Sequence, residues 1–162
     1  MINHEGYTGP ICVAIVLIWR RDTNQVLLSL RKGQHGDMMW QIPGGKIDAW
    51  ETPKQAGRRE AWEEVGLKIE DFKILPYWSD ERFPAVNRQY LCLYMVTEWD
   101  GQTPTNVEPE KSQTLQWWDW DDMPGNSMSD HRGLAAKFPD LGAFFGKRIR
   151  WQRLLDFLFS KV

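Results

Sequence analysis

The residues with the clearest chemical promise lie in one short stretch. Glu60, Glu63 and Glu64 stand at spacings i, i+3 and i+4. On a helix that spacing puts three carboxylates on one face, within side-chain reach of one another. Close carboxylates repel, and a cation between them relieves the repulsion. Oxygen ligands suit a hard ion such as Mg²⁺. Taken alone, REAWEE reads more simply as a solvated acidic helix face. The flanks argue for more. Gly44 and Gly45 allow close backbone approach and unusual dihedrals, and the Gly45 carbonyl is a candidate further ligand. Arg59 directly precedes the acids and Glu51 precedes the helix. A Glu51–Arg59 pair would tie loop to helix, the plain alternative being a surface ion pair of little energy.

These groups need elements to hold them. Thr52 is a good N-cap, Pro53 suits the first helical position and Gln55 completes a capping-box pattern, so a helix is predicted through Glu64. Gly66 falls where a glycine closes a helix. Upstream, Ile11–Trp19 is a β-branched apolar run, RRDTNQ is a turn signal, and Val26–Arg31 is a second run, which together predict a β-hairpin. Lys32–Asp37 reads as a polar loop, and Trp40–Gly45 as a short extended piece ending in two glycines. Leu67–Ile74, Arg88–Glu98 and Thr114–Trp120 are further strand candidates, with a proline-containing loop over Gly101–Glu110. Helical periodicity returns over Arg148–Phe159. Strands around an internal helix, with a second helix at the end, predict an α+β or mixed α/β/α sandwich rather than regular βαβ winding.

Bulk properties fit one domain spanning residues 1–162. Hydrophobic residues make up 42%, enough for a core without disulfides, and charged residues make up 26% without a low-complexity tract. The formal net charge is −2, so a broad footprint for nucleic acid is not indicated, whereas a small phosphate-bearing ligand needs only a few local cations. Cys12 and Cys92 lie in apolar runs without a CxxC partner and read as reduced core residues of a cytoplasmic protein. Ile11–Trp19 is too short to span a bilayer, so no membrane contact is expected. The ten tryptophans read as core and interface residues, with stacking as the sharper alternative for one or two.

The segment Gly45–Leu67 resembles the Nudix box. That pattern is a glycine, five residues, Glu, seven residues, then Arg-Glu-apolar-x-Glu-Glu-x-Gly-apolar. Here Gly45, Glu51, Arg59, Glu60, Glu63, Glu64 and Gly66 fill the fixed positions, with Ala61 and Leu67 in the apolar slots. The resemblance implies an α/β/α sandwich with a mixed sheet, the box forming a loop–helix–loop. It implies Glu60 and Glu64 as principal metal ligands with Glu63 supporting, the Gly45 carbonyl as a backbone ligand, and Glu51 and Arg59 in structural roles. It implies Mg²⁺, with Mn²⁺ able to substitute, and attack of water on a phosphorus of a diphosphate.

Leu30-Arg31-Lys32-Gly33, Trp40–Gly45, Asn106–Lys111 and Trp117–Pro124 look like the MutT-related nucleotide-pool branch, whose members act on (d)NTPs, oxidised guanine nucleotides among them. On that resemblance the substrate is a (d)NTP, with a purine such as 8-oxo-dGTP, split to NMP and PPi in nucleotide-pool sanitation. A nucleotide sugar, ADP-ribose or isoprenyl diphosphate is the alternative, and a binding module without turnover the third reading. Arg31 and Lys32 are candidate phosphate contacts, and Gln41, with the Gly44 and Gly45 backbone, a candidate ligand contact. Glu110, or Glu108, is the candidate extra acid for the metal cluster, as in some relatives. Phe144 or Phe145 is a candidate for the base pocket, though such residues are more often core. A homodimer is common among relatives, and exposed tryptophans could serve it.

Overall fold

The computed structural model describes residues 9–33, 36–83, 87–128 and 131–145. The strands, in chain order, are β1 (Ile11–Arg20), β2 (Gln25–Arg31), β3 (Trp40–Gln41), β4 (Gly44–Lys46), β5 (Lys73–Phe83), β6 (Arg88–Glu98) and β7 (Ser112–Asp119). Two helices, α1 (Pro53–Val65) and α2 (His131–Lys137), accompany a 3-10 turn at Leu141–Phe144. The expected hairpin is present, with Trp19 opposite Val26 and Arg20 opposite Gln25. The main sheet order is β3-β2-β1-β6-β5, with β4 on β1 and β7 on β2. The sheet is mixed, because β1 and β6 run parallel from Ile11↔Tyr90 to Trp19↔Glu98 while the other pairs are antiparallel.

A division within β1 shapes the active face. Near its C-terminal end β1 pairs with β2, but towards its N-terminal end β4 takes that place, Val13↔Lys46 through Ile15↔Gly44. From there β2 pairs instead with β3, while β7 runs along its other edge from Gln25↔Asp119 to Arg31↔Ser112. The β3–β4 connection is pinned between the two halves by the Val16 N–H donating to the Pro43 carbonyl at 2.8 Å.

Both sheet faces are covered, which is why β1 reads as an unbroken apolar run. On one face Ala14, Val16, Ile18, Leu27 and Met95 pack under Ala56, Ala61 and Val65 of α1. Gly57 allows the close approach, since a Cβ there would come within 2.7 Å of the Met95 side chain. On the other face Leu17, Trp19, Leu28, Tyr94 and Trp120 pack with Leu134 and Ala135 of α2. Phe145 stacks on Trp19 at 6.0 Å and Phe144 meets Phe138 edge-on at 5.8 Å. Both candidate base-pocket phenylalanines therefore pack against this second core.

Three expectations need correction. Cys92 is buried but Cys12 is exposed, because it lies at the N-terminal end of β1, where the strand's burial is incomplete. The predicted strand over Leu67–Ile74 begins only at Lys73. Leu67 and Ile69 alternate with exposed residues as a strand would, but the alternation breaks at exposed Asp71 and buried Phe72, and side chains satisfy backbone groups in between. Arg58 donates to the Ile69 and Glu70 carbonyls, and the Gln102 amide bonds both the N–H and the carbonyl of Lys68. The short helix α2 was not anticipated. The predicted Arg148–Phe159 helix lies outside the described residues.

Candidate active site

The acids sit where α1 and β4 meet. Thr52 caps α1 with both hydrogen bonds of a capping box, and Gly66 closes it in the left-handed region at φ 68°. Gly44 pairs with Ile15 and Gly45 with Ala14. Neither glycine is replaceable without collision. A Cβ on Gly44 would stand 2.2 Å from the Ala14 carbonyl oxygen, and one on Gly45 would stand 2.3 Å from Glu60 Oε1. The Gly45 backbone is thus in direct contact with the first acid of the cluster. The Gly44 N–H donates to Glu64 Oε2 at 3.0 Å.

Arg59 organises the rest. Its Nε and Nη2 donate to the two oxygens of Glu51, each at 2.9 Å, and Nη2 also donates to the Lys46 carbonyl at 2.9 Å. Its Nη1 reaches Glu60 at 2.6 Å and Glu63 at 3.1 Å. The Glu51–Arg59 pair is therefore more than a surface contact, since it fixes the loop before α1 to the helix. The Arg59 hydrogen bonds hold the Glu51 carboxyl below its ordinary pKa, helped by the Asp48 N–H. Those same bonds raise the Arg59 pKa above its usual value.

Glu60 and Glu64 are pushed the other way. Burial raises Glu60, and the charges of Glu63 and Glu108 add to it against the opposing pull of Arg59. Burial raises Glu64 to about 8. The Gly44 N–H opposes the rise, Glu60 and Glu108 reinforce it, and Arg31 opposes it. Crowded, desolvated carboxylates are what a divalent cation would relieve. Among the described residues no three acidic, histidine or cysteine side chains already surround one point. Glu60 and Glu63 are turned onto Arg59, and Glu64 onto Gly44. The donor set of Glu60, Glu63, Glu64 and the Gly45 backbone suits a hard cation in type and placement, once these side chains turn from their present partners.

The loop after β6 closes the cluster. The Thr105 N–H donates to the Val65 carbonyl and the Val107 N–H to the Glu64 carbonyl, stitching this loop to the end of α1. Glu108 is thereby brought close enough for its charge to act on Glu60 and Glu64. Lys111 pairs with Glu108 at 2.5 Å. Glu110 is exposed, and its charge is felt at Lys111. Of the two loop acids, Glu108 is the one whose charge acts on Glu60 and Glu64. Only a tertiary contact decides between them, so the sequence held no signal for the choice.

Arg31 and Lys32 leave the end of β2 beside this loop. Arg31 donates to the Gln41 side-chain oxygen at 2.5 Å, and its charge reaches Glu64. The Lys32 N–H bonds the Lys111 carbonyl, and its ammonium approaches the Pro109 carbonyl at 3.4 Å. Ser29, buried next to Gln41 across β2 and β3, carries a hydroxyl with no hydrogen-bond partner among the described residues. It was not among the sequence candidates.

The NUDIX domain model matches residues 10–138, most of the chain. The chain belongs to the Nudix family. It is 34% identical over 134 residues to an RNA pyrophosphohydrolase of Blochmanniella pennsylvanica, covering 74% of this chain and 80% of that protein. It is 33% identical over 133 residues to an RNA pyrophosphohydrolase of Proteus mirabilis, covering 74% of this chain and 72% of that one. Among solved structures, a MutT NUDIX hydrolase from Burkholderia pseudomallei superposes with a TM-score of 0.71 at 26% identity, over 80% of this chain and 97% of that one. The NUDIX domain of Shewanella oneidensis NrtR, crystallised with ADP ribose, shares the fold at a TM-score of 0.67 and 18% identity, over 85% of this chain and 91% of that one. This Nudix protein is accordingly a pyrophosphohydrolase acting on a diphosphate linkage. The MutT-type fold expected from the box is the fold observed. Among the described residues no helix is long and apolar enough to cross a membrane.

Proposed function

We propose that this Nudix hydrolase acts on the triphosphate of a nucleotide, cleaving within the phosphate chain to release pyrophosphate, with Mg²⁺ as the working ion. The preferred substrate in this reading is a free (d)NTP with a purine base, such as dGTP or 8-oxo-dGTP, giving NMP and PPi. The observation that carries it is the position of Arg31. It is held on Gln41 of β3 and its charge acts on Glu64, so a phosphate bound by Arg31 would lie near the carboxylate cluster. Lys32 stands next to it, tied to the loop that brings Glu108.

Each residue has a role in that scheme. Glu60, Glu63, Glu64 and the Gly45 carbonyl would hold the metal. When bound, the ions neutralise phosphate oxygens and lower the pKa of the attacking water. Arg31 and Lys32 orient the phosphate chain by charge-assisted hydrogen bonds. Arg31 also fixes the Gln41 amide by binding its oxygen, which leaves the amide nitrogen as a donor toward the ligand. Arg59 and Glu51 keep the loop in place, and a carboxylate of the cluster accepts the proton of water.

A second reading has support of a different kind. The curated relatives above are named RNA pyrophosphohydrolases, so the triphosphate could be the 5′ end of an RNA chain. The cleavage chemistry is the same. Chromatography of reactions with dGTP, 8-oxo-dGTP, dCTP, ADP-ribose, UDP-glucose and a 5′-triphosphorylated oligoribonucleotide tests both readings. NMP and PPi from a triphosphate support the first. ADP-ribose or UDP-glucose cleaved with kcat/KM well above every triphosphate would overturn both.

A further inference from the structure

Trp50 is fully exposed, whereas Met38, Trp62, Ile74, Trp78 and Val107 are only about half exposed. Its backbone lies at φ 70°, in the left-handed region that a bulky side chain rarely adopts. The chain could relax this residue, but its neighbours prevent it. Glu51 is held by two hydrogen bonds to Arg59, its N–H bonds the Asp48 carbonyl, and its carboxylate accepts from the Asp48 N–H. Lys46, at the start of the same loop, gives its carbonyl to the same guanidinium. That guanidinium also binds Glu60. The indole is thus displayed on a loop locked to the catalytic cluster. Trp50 is one residue from Glu51, which shares Arg59 with the acids. The Lys46 side chain is exposed on this loop.

An exposed aromatic ring with an exposed cation on the same loop is a combination that suits single-stranded nucleic acid, by base stacking and phosphate attraction. A protein partner fits less well. Asp48, Ala49 and Thr52, the neighbours of Trp50 in the chain, are themselves exposed and mostly polar, whereas a protein hot spot lies within a surrounding packed patch. A free mononucleotide has one base, which leaves none for a site beyond the phosphates. We propose that Trp50, with Lys46, is a stacking platform for the second nucleoside of a 5′-triphosphorylated RNA chain. This rests on the RNA 5′-end reading of the same site.

The test compares GTP with the triphosphorylated dinucleotide pppGpA, using wild type, Trp50→Ala and Trp50→Phe. Trp50→Ala should raise KM for pppGpA about tenfold, as expected for one lost base stack. Its kcat should be unchanged, its kinetics on GTP should stay within twofold, and Trp50→Phe should restore most of the loss. Equal effects on both substrates mean a structural role and overturn the inference, as does no effect on either. Altered sedimentation in Trp50→Ala without a change in KM points to a protein contact and also overturns it. Release of PPi from GTP with no cleavage of pppGpA removes the platform and leaves the triphosphate reading intact. No cleavage of either substrate overturns the triphosphate reading, and the platform falls with it.

Discussion

Glu64 offers a test that separates burial from catalysis. Its carboxyl is raised from 4.5 to about 8, chiefly by burial, with the charges of Glu60 and Glu108 adding to the effect. The folded protein therefore holds a proton that the unfolded chain releases between these values. Where the native state binds more protons, stability falls as pH rises. In the metal-free protein the loss should begin near pH 4.5 and be complete above about 8. Each pH unit is worth about 1.4 kcal/mol, so by pH 7 the loss amounts to about 3 kcal/mol. Glu64→Gln removes the titration while keeping an oxygen able to accept from the Gly44 N–H. In EDTA the variant should therefore be more stable than wild type at pH 7 by about 3 kcal/mol, or roughly 6–12 °C in Tm. At pH 4 the two should be nearly equal. The same variant should lose kcat by several orders of magnitude, because it removes a proposed ligand charge. Urea denaturation at pH 4, 5.5, 7 and 8.5 measures the stability difference. A difference that does not grow with pH would refute the claim that the buried charge of Glu64 opposes folding. Added Mg²⁺ should then stabilise wild type at pH 7 and leave Glu64→Gln almost unaffected, which connects the strain to the ion that relieves it.

Further outcomes follow from the same geometry. Turnover should stop in excess EDTA and return with Mg²⁺ or Mn²⁺, read by phosphate release after pyrophosphatase treatment. Gly45→Ala would place a methyl 2.3 Å from Glu60 Oε1. Activity should fall at least a hundredfold while circular dichroism stays close to wild type. Glu108→Gln should lower kcat/KM about tenfold or more, whereas Glu110→Gln should stay within twofold, because the Glu108 charge acts on Glu60 and Glu64 while that of Glu110 acts on Lys111.

What could be read from the sequence follows the range of the forces involved. Helix α1 was legible to its ends, because Thr52, Pro53, Gln55 and Gly66 act within a few residues of themselves. The β1–β2 hairpin and β6 were legible for the same reason. The parallel pairing of β1 with β6 was not, since it joins segments far apart in the chain. Residues 67–70 alternate in burial as a strand would, yet Arg58 and Gln102 take backbone groups that a ladder would use. Glu108 and Glu110 have the same chemistry and neighbouring positions. The contacts of Thr105 and Val107 with the end of α1 separate them. The exposure of Trp50 was equally hidden, because composition counts tryptophans and does not say which ones find cover.

Arg59 joins the loop, the helix and the acids through one side chain. One guanidinium uses Nε and Nη2 on Glu51, Nη2 again on the Lys46 carbonyl, and Nη1 on Glu60 and Glu63. Its planar set of donors spans partners on the loop and the helix together. A lysine keeps the charge but offers one compact ammonium, which cannot bridge both oxygens of Glu51 and reach Glu60 as well. Arg59→Lys should therefore release the loop while leaving the local charge unchanged. The Glu51 carboxyl, held low mainly by Arg59, gives stability that is present above the unfolded pKa and is lost as pH falls through its lowered folded value. In the variant that acid-side loss should shrink, because Glu51 no longer gains from folding. Stability near neutral pH should fall by about 1–2 kcal/mol, a figure kept small because the pair is partly solvent-screened. Limited proteolysis should open a new cut between Lys46 and Thr52, and kcat/KM should fall with it. An Arg59→Lys enzyme with wild-type activity, an uncut loop and an unchanged acid limb would mean that charge alone, and not the geometry of the guanidinium, holds the site together.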